Sequence, residues 1–279
     1  MQAALSRLKA SSETSILRAR RGRTIGSQIG STHVATATVA DVAREIPTVP
    51  FADVEFAIQS EAIVPRERDE LAARVLNVAI AAVALVVLSP LIVLIALAIK
   101  LTSHGPVLYS QIRVGVDRRW RFARSFDRRT HDHGGQLFTM YKFRTMHANA
   151  EPDGRAVWAT RCDPRVTLVG RILRRTRLDE LPQLWNVLRG EMNIVGPRPE
   201  RPSIFAELRR TIPEYQLRQR LKPGITGWAQ VNQPYDACID DVRQKVRYDL
   251  EYVTRQGVVE DLRIMSLTLP VMLFRKGGW

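Results

Sequence analysis

The chain has 279 residues, of which 45% are hydrophobic, so most of it is expected to fold. It carries 42 basic and 28 acidic residues for a formal net charge of +14, which indicates an acidic partner such as nucleic acid, anionic lipid or a phosphorylated substrate. Its two cysteines, Cys162 and Cys238, have no metal-ligand spacing, and a pair this sparse indicates free thiols rather than a disulfide.

Residues 1–65 are predicted to form a flexible N-terminal arm. Residues 1–60 mix Ser, Thr, Ala and Arg with little hydrophobic periodicity. Because residues 1–70 hold nine basic and nine acidic residues, the whole net charge of +14 lies in residues 71–279. This second part of the chain is therefore expected to attract the acidic partner.

A long apolar segment follows the arm and is predicted to lie in lipid. The 25 residues from Val75 to Ile99 carry no charge, and Arg74 and Lys100 flank them. This length exceeds the roughly 20 residues that a helix needs to cross the hydrocarbon core of a bilayer. Residues 66–101 are therefore assigned to a membrane segment.

Ser89 and Pro90 interrupt this apolar segment near its middle. Proline removes one helical hydrogen bond and kinks a helix, and a preceding serine can bond to the freed carbonyl. Two structures fit: a kinked helix that crosses the membrane, and a re-entrant hairpin whose ends leave on the same side. Positive charge on both flanks suits a hairpin with cytoplasmic ends, but periodicity alone leaves both structures open.

Residues 102–279 are predicted to form one catalytic domain. Within it, VLYSQIRV (107–114) and LFTMYKF (137–143) are predicted to be strands, and residues 163–192 have helical periodicity. The apolar end of the chain, residues 261–279, is expected to lie in a membrane interface or against the domain. The predicted fold class is helix-rich α+β, with a membrane hairpin, amphipathic interfacial helices and a small sheet.

Asp179 and Glu180 are adjacent carboxylates in a segment rich in arginine. Such a pair in an amphipathic helix is usually a solvated acidic surface, and an arginine one turn earlier can simply pair with it. The arginines exceed what two carboxylates require, however, and excess guanidinium beside carboxylates is typical of sites that also hold phosphate. The arginines within eight residues upstream are Arg171, Arg174, Arg175 and Arg177.

Arg198 lies between Pro197 and Pro199 in the sequence VGPRPE. The two rings restrict the backbone, so the arginine is presented on a rigid loop, as suits a site for charge that develops during a reaction. A carboxylate can attack phosphorus and form an acyl-phosphate, and a second carboxylate beside it can hold Mg²⁺. These features together predict chemistry on a phosphorylated substrate at a membrane surface.

Four motifs resemble those of the bacterial sugar transferases known as monotopic phosphoglycosyl transferases: YSQIRVG, YKFRTM, RTRLDELPQLWNVLRGEMNIVGPRPERP and KPGITGWAQVN. The resemblance covers about residues 70–275, and the occurrence of all four in order makes it specific. Members of this family transfer a sugar-1-phosphate from a nucleotide sugar, commonly a UDP-sugar, to polyprenyl phosphate and release a nucleoside monophosphate.

The resemblance implies roles for the matching residues. Asp179 is expected to be the nucleophile that forms a phosphosugar–enzyme intermediate, and Asp179 and Glu180 are expected to hold Mg²⁺. The family's re-entrant helix, broken at a Ser-Pro pair, matches Ser89–Pro90 and favours the hairpin. Ion pairing is the alternative role for Arg144, and a tight turn is the alternative for the segment around Thr226. The expected substrate-binding residues are Lys142, Arg144, Arg174, Arg198, Thr226 and Asp249.

The resemblance also implies a setting and partners. The chain is expected at the cytoplasmic face of the bacterial inner membrane, with a nucleotide sugar, polyprenyl phosphate and membrane lipid as partners, in the first membrane step of exopolysaccharide or glycan synthesis. The charge-free segment argues against a free nucleic-acid binder. A non-enzymatic basic scaffold that binds anionic lipid is the alternative function. One departure is QPYDA (233–237), which stands where many members have a glycine and a phosphate-binding arginine.

Overall fold

The computed structural model describes residues 63–121, 132–148, 150, 163–233 and 238–274. Helices predominate and strands are short, which confirms the predicted α+β class. The helices are α1 (Glu70–Val87), α2 (Ser89–Thr102), α3 (Leu168–Thr176), α4 (Gln183–Arg189), α5 (Pro202–Thr211), α6 (Trp228–Asn232), α7 (Ile239–Arg255) and α8 (Val258–Phe274), and 3-10 segments occur at Arg119–Arg121, Leu178–Glu180 and Pro213–Arg220. The strands are β1 (Leu108–Val114), β2 (Leu137–Phe143), β3 (Asn193–Val195) and β4 (Gly224–Thr226). The predicted arm, apart from residues 63–65, and residues 234–237 of the QPYDA departure lie outside the described residues.

The two strands predicted from sequence, β1 and β2, pair as an antiparallel ribbon. Leu108 lies opposite Phe143 and Val114 opposite Leu137, and alternation along β2 buries Phe138. A second sheet pairs β3 with β4 in parallel. The sequence did not predict this second sheet, because three-residue strands carry no readable alternation.

The apolar segment forms α1 and α2, and the helix is interrupted at Leu88, whose φ of −89° and ψ of 3° depart from helical geometry. Pro90 has no N–H to donate to the carbonyl of Val86, four residues earlier. The Ser89 hydroxyl donates to that carbonyl instead, at 2.8 Å. Backbone bonds from Leu88 to Ala84 and from Ile92 to Leu88, both 2.9 Å, continue across the interruption, so it is a kink and not a loop.

The surface around this kink is apolar and exposed. Among the described residues, Glu70–Val87 is the helix whose length and composition would allow it to cross a membrane, with a mean hydropathy of 2.0 and only 17% of it buried. Exposed apolar surface on this scale indicates contact with lipid or with a partner. The exposed large side chains on the two sides of the kink are Val83, Val86, Val87, Val93, Leu94 and Leu97.

The first arm of the apolar segment, α1, is bound near its start to elements that follow the apolar segment in the chain. Asn77 is 3% exposed, and its Oδ1 accepts a hydrogen bond from the Ile194 N–H of β3 at 2.6 Å. The Arg74 guanidinium donates to the Val187 and Leu188 carbonyls, both at 2.6 Å, in the last turn of α4. Positive charge at this end of a helix is favourable because the carbonyl ends of the peptide dipoles point there.

The second arm, α2, is bound near its end to the same part of the chain. Ile95 and Ile99 are buried against Phe143 of β2 and Leu173 of α3. Burying a large aliphatic side chain typically contributes about 1.5–3 kcal/mol. Both the start of the apolar segment and its end are therefore bound to one domain.

The body behind these contacts is built from α5, the 3-10 segment Pro213–Arg220 and α7. Phe205, Tyr215 and Val246 from these elements pack with Val114 of β1. The last helix, α8, is anchored by the fully buried Ile264. Its exposed apolar side chains are Val258, Val259, Leu262, Leu267 and Leu269.

Candidate functional site

The carboxylate pair lies in a turn between two helices. The helical periodicity predicted over residues 163–192 corresponds to two helices, α3 and α4, because Arg177 adopts a left-handed conformation with φ 59° and ψ 12° and ends α3. Asp179 and Glu180 follow in a 3-10 turn, and Pro182 then begins α4. The two side chains therefore point from a short turn into the domain, where they are 8% and 6% exposed.

Three cations surround the Glu180 carboxylate. Its Oε1 accepts hydrogen bonds from Lys142 Nζ at 3.0 Å and from Arg198 Nη2 at 2.6 Å, and Arg177 Nη1 lies 3.9 Å away. Charge-assisted hydrogen bonds of this kind are about twice as strong as neutral ones. The two hydrogen bonds connect β2, which carries Lys142, and the loop after β3, which carries Arg198, to the 3-10 turn that carries Glu180.

The two neighbouring carboxylates have opposite electrostatic environments. Burial would raise the pKa of Glu180, but Arg198 and Lys142 hold it well below its usual range. Burial raises the pKa of Asp179, and the charge on Glu180 adds to this rise while Lys142 opposes it. Within the described part of the chain, the Asp179 carboxylate makes no hydrogen bond and no ion pair. Glu180 thus forms hydrogen bonds with protein cations, and Asp179 does not.

A buried ion pair supports the backbone of Arg198. The Arg198 carbonyl accepts a hydrogen bond from Arg218 Nη2 at 3.1 Å, and the same nitrogen lies 2.6 Å from Asp249 Oδ2. Arg218 also donates to the Tyr215 hydroxyl at 2.9 Å. Burial lowers the pKa of Arg218, but Asp249, Tyr215 and Glu200 together raise it above its ordinary value. Asp249 therefore acts on Arg198 indirectly, because it pairs with Arg218, which donates to the Arg198 carbonyl.

Glu200, at the end of the same loop, is a partly buried, ion-paired acid that sequence reasoning missed. It lies 3.3 Å from Lys245 Nζ and 3.7 Å from Arg113 Nη1. Burial would raise the pKa of Glu200, but Lys245 and Arg113 lower it. Burial lowers the pKa of Arg113 to about 10, and Arg113 also donates to the Pro199 carbonyl at 3.0 Å. The position of Glu200 directly after Pro199, in the same proline-bounded motif as Arg198, was the available signal.

Arg144 and Arg174, both expected to bind substrate, make contacts within the protein. Arg144 Nη2 donates to the Ser103 carbonyl at 2.8 Å and its Nη1 to the His104 carbonyl at 2.6 Å, so this guanidinium binds the end of α2. Arg174 Nε donates to Thr145 Oγ1 at 2.9 Å. Substrate binding by either residue stays a prediction.

Thr226 lies in an apolar cleft. Its hydroxyl shares a hydrogen bond of 2.8 Å with the Thr268 hydroxyl, so these polar groups are satisfied inside the protein. The cleft has a volume of about 370 Å³, within the size range of small-molecule sites. It is bounded by α1, α4, the β3–β4 sheet and α8, through Ile80, Leu184, Ile194, Ile225, Thr226, Met265, Ser266, Thr268 and Leu269.

The carboxylate pair has oxygens that fit a divalent cation. The described residues contain no group of three or more His, Cys, Asp or Glu side chains that could hold a metal. Mg²⁺, however, is usually bound by one or two carboxylates together with water and substrate phosphates. Asp179 has no competing partner among the described residues, and Glu180 Oε2 has one long contact, at 3.4 Å from Arg198. Asp179 and Oε2 of Glu180 are therefore the candidate ligands.

Comparison with known proteins gives a family match over most of the chain. Residues 68–275 match the family model described as "Bacterial sugar transferase". The chain is 39% identical over 218 residues to the undecaprenyl-phosphate glucose phosphotransferase of Komagataeibacter xylinus, an alignment that covers 76% of this chain and 38% of that relative. The chain spans about two fifths of the length of this relative and of the Escherichia coli enzyme that it also matches.

Two shorter relatives are matched over more of their length. The UDP-glucose:undecaprenyl-phosphate glucose-1-phosphate transferase of Caulobacter vibrioides is 41% identical over 212 residues, which cover 75% of this chain and 72% of the relative. The exopolysaccharide production protein ExoY of Sinorhizobium fredii is 34% identical over 242 residues, which cover 82% of this chain and 97% of the relative.

The opposite environments of the pair predict opposite effects of neutralising each carboxylate. Asp179→Asn is expected to stabilise the fold at neutral pH by on the order of 1 kcal/mol, because ionising a carboxyl whose folded pKa is raised costs stability as pH rises through that pKa. Glu180→Gln is expected to destabilise it by about 2 kcal/mol, because Lys142 and Arg198 lose their ionised partner.

These two effects are measured as midpoints of thermal unfolding in detergent at several pH values. The stability from Glu180 is present above its unfolded pKa of about 4.3 and is lost as pH falls through its depressed folded pKa. The Asp179→Asn difference should therefore shrink as pH falls towards about pH 4, whereas the Glu180→Gln difference should shrink only below about pH 4. Shifts of the same sign for the two variants at neutral pH would contradict the assigned environments.

Proposed function

The chain belongs to the bacterial sugar transferase family, and on this premise we propose that it moves a sugar-1-phosphate from a UDP-sugar to polyprenyl phosphate. The observation that carries the proposal is the contrast within the carboxylate pair: Glu180 is ionised and bound by cations, whereas Asp179 has no hydrogen bond among the described residues. The names of the relatives supply the donor and acceptor classes. Exopolysaccharide synthesis is the proposed process, by likeness to the Sinorhizobium protein.

In the proposed reaction, a carboxylate oxygen of Asp179 attacks the phosphorus that bears the sugar. A new O–P bond forms, the P–O bond to the leaving UMP breaks, and UMP takes the electron pair of that bond. An oxygen of polyprenyl phosphate then attacks the same phosphorus, and the Asp179 carboxylate leaves with the electron pair of its bond. Both halves are displacements at phosphorus, so the nucleophile is regenerated without an oxidant or reductant.

The other residues of the site serve charge and position. Burial raises the pKa of Asp179, and Lys142 and Arg198 act against that rise. Their charges therefore favour the ionised form of the nucleophile. Arg218 and Asp249 fix the backbone of Arg198, so its guanidinium is oriented before substrate arrives. Mg²⁺ bound at Asp179 and Glu180 would neutralise phosphate oxygens and the leaving group.

The proposed reaction is tested by incubating detergent-solubilised protein with a panel of UDP-sugars, Mg²⁺ and undecaprenyl phosphate, and measuring UMP. Asp179→Asn is expected to abolish turnover, because an amide cannot form the acyl-phosphate, whereas Asp240→Asn, at an exposed carboxylate at the start of α7, should retain it. Without acceptor, mass spectrometry should find a sugar-phosphate adduct on peptide 178–189.

Two outcomes would contradict this assignment. Near-normal turnover by Asp179→Asn would show that another group is the nucleophile. No UMP from the unsubstituted protein with any nucleotide sugar would favour the alternative function, a basic scaffold that binds anionic lipid.

We further propose that the apolar segment is a re-entrant hairpin with both ends at the cytoplasmic face of the inner membrane. Arg74 near its start and Ser103 just after its end are each hydrogen-bonded to the catalytic domain, through Val187 and Arg144 respectively. A helix that crossed the bilayer would carry its two ends to opposite sides, roughly 30 Å apart. The exposed apolar residues near the kink would enter the lipid.

Cysteine labelling tests this topology. In a background where Cys162 and Cys238 are replaced by serine, single cysteines at Val64 and Ser110, both exposed, should react with the same membrane-impermeant reagent from the same side. The measurement is labelling in sealed vesicles of known orientation. Reaction of the two sites from opposite sides would establish a spanning helix.

The apolar cleft is the proposed site for the hydrocarbon chain of the acceptor. One wall of the cleft is Ile80 on α1, the helix that contacts lipid in the proposed topology. Another wall is Leu184 on α4, four residues after Glu180. The hydroxyls of Thr226 and Thr268 bond to each other, so they do not require water in the cleft. An apolar chain could thus extend from lipid towards the carboxylate pair while removing apolar surface from water.

Filling the cleft should weaken acceptor use selectively. Leu269→Trp places a larger ring at the edge of the cleft and is expected to raise the KM for undecaprenyl phosphate severalfold while adduct formation from the UDP-sugar stays unchanged. Leu262→Trp is the matched control, because Leu262 is also an exposed leucine of α8 but does not line the cleft. Equal effects of both substitutions would rule out this site.

A further inference from the structure

Arg177 has a backbone conformation that disfavours its own residue type. Among the described residues it is the one non-glycine residue with a positive φ, at 59°. Left-handed helix C-caps are normally glycine, and sometimes asparagine, because a Cβ clashes with the following carbonyl in this conformation. Observed strain of this kind is often retained where a side chain is needed at one place.

The side chain of Arg177 lies at the carboxylate pair. Its Nη1 is 3.9 Å from Glu180 Oε1, at the limit of an ion pair, whereas Lys142 and Arg198 are in hydrogen-bond contact with that oxygen. The side chain is 34% exposed, compared with 16% for Lys142 and 29% for Arg198. Arg177 is thus the most solvent-accessible of the three cations, and its contact with Glu180 is the longest of the three.

The charge at the site favours an additional anion. Three cations surround two carboxylates, and Glu180 alone accepts the two close hydrogen bonds. Guanidinium groups bind phosphoryl oxygens through paired N–H donors, a geometry that lysine cannot reproduce. Lys142 and Arg198 are already hydrogen-bonded to Glu180, so the Arg177 guanidinium, the most exposed of the three cations, is the group that we expect an entering phosphoryl group to contact.

We propose that Arg177 binds a phosphoryl oxygen of a substrate, and that the strained backbone is kept to place its guanidinium there. This inference rests on the proposed function for the identity of the substrates. The ligand chemistry is shared by the diphosphate of the nucleotide sugar and the phosphate of the acceptor. Which of the two Arg177 contacts is decided by which KM responds to its substitution.

Substitutions at this position separate the backbone from the side chain. Arg177→Gly removes both the strain and the guanidinium and should unfold at a higher temperature than the unsubstituted protein, while kcat/KM falls roughly 10- to 100-fold, the equivalent of one charged hydrogen bond. Arg177→Ala keeps the strain, should lose activity equally and should not gain stability. Arg177→Lys should retain part of the activity.

A matched control is Arg255→Ala, which removes another helix-terminal arginine paired with a glutamate and should leave turnover unchanged. A rise in KM for the UDP-sugar in the Arg177 variants assigns the contact to the donor, and a rise for undecaprenyl phosphate assigns it to the acceptor. Full activity of Arg177→Gly or Arg177→Ala would overturn the proposal, because the guanidinium would then be dispensable.

A binding measurement distinguishes failure of this inference from failure of the proposed function. Inorganic pyrophosphate should raise the unfolding temperature of the unsubstituted protein more than that of Arg177→Ala. If the protein releases no UMP but shows this difference, the transferase proposal fails and the anion contact of Arg177 is supported. Equal shifts for the two proteins, with or without UMP release, overturn the inference.

Discussion

The ionised carboxylate of Glu180 is the interaction on which the arrangement of the site depends. One oxygen accepts hydrogen bonds from Lys142 on β2 and from Arg198 on the loop after β3. These elements are distant in sequence, and each is also fixed from behind: β2 by its pairing with β1, and the loop by Arg218 and Asp249. A buried carboxylate without these cations would bear the full cost of desolvation, so the three parts stabilise one another.

Because Glu180 is paired with these cations, Asp179 has a different electrostatic environment, although the two residues are consecutive. Burial and the neighbouring negative charge raise the pKa of Asp179, and it has no hydrogen-bond partner among the described residues. Unsatisfied buried polar groups reduce stability and tend to persist where function requires them. The two carboxylates therefore differ in role because they differ in contacts: Glu180 binds the cations Lys142 and Arg198, and Asp179 remains available to a ligand.

The membrane segment and the site share a scaffold at the end of β2. Lys142 contacts Glu180, Phe143 packs on α2, and Arg144 donates to carbonyls at the C-terminal end of α2. Three consecutive residues thus connect α2 to the carboxylate pair. Because Phe143 and Arg144 contact α2 and adjoin Lys142 in the chain, we expect a shift of α2 to displace Lys142 as well. The depth of the site relative to the bilayer is fixed by this strand in the proposed topology.

Sequence alone determined the features that depend on composition and local spacing. The uncharged run from Val75 to Ile99, the Ser89–Pro90 break and the alternation along β2 are all readable because they repeat over many residues or restrict the backbone directly. Arg198 was readable because two prolines restrict its backbone, and the adjacent acids were readable because arginines exceed them in the same segment. Tertiary structure decided which partner each charged side chain has. Arg144 donates to a carbonyl just after α2, Asp249 pairs with Arg218, and Lys245 pairs with Glu200. Tertiary structure also showed that Arg177 ends a helix in a left-handed conformation, which the sequence did not indicate because glycine is the usual residue at such a position.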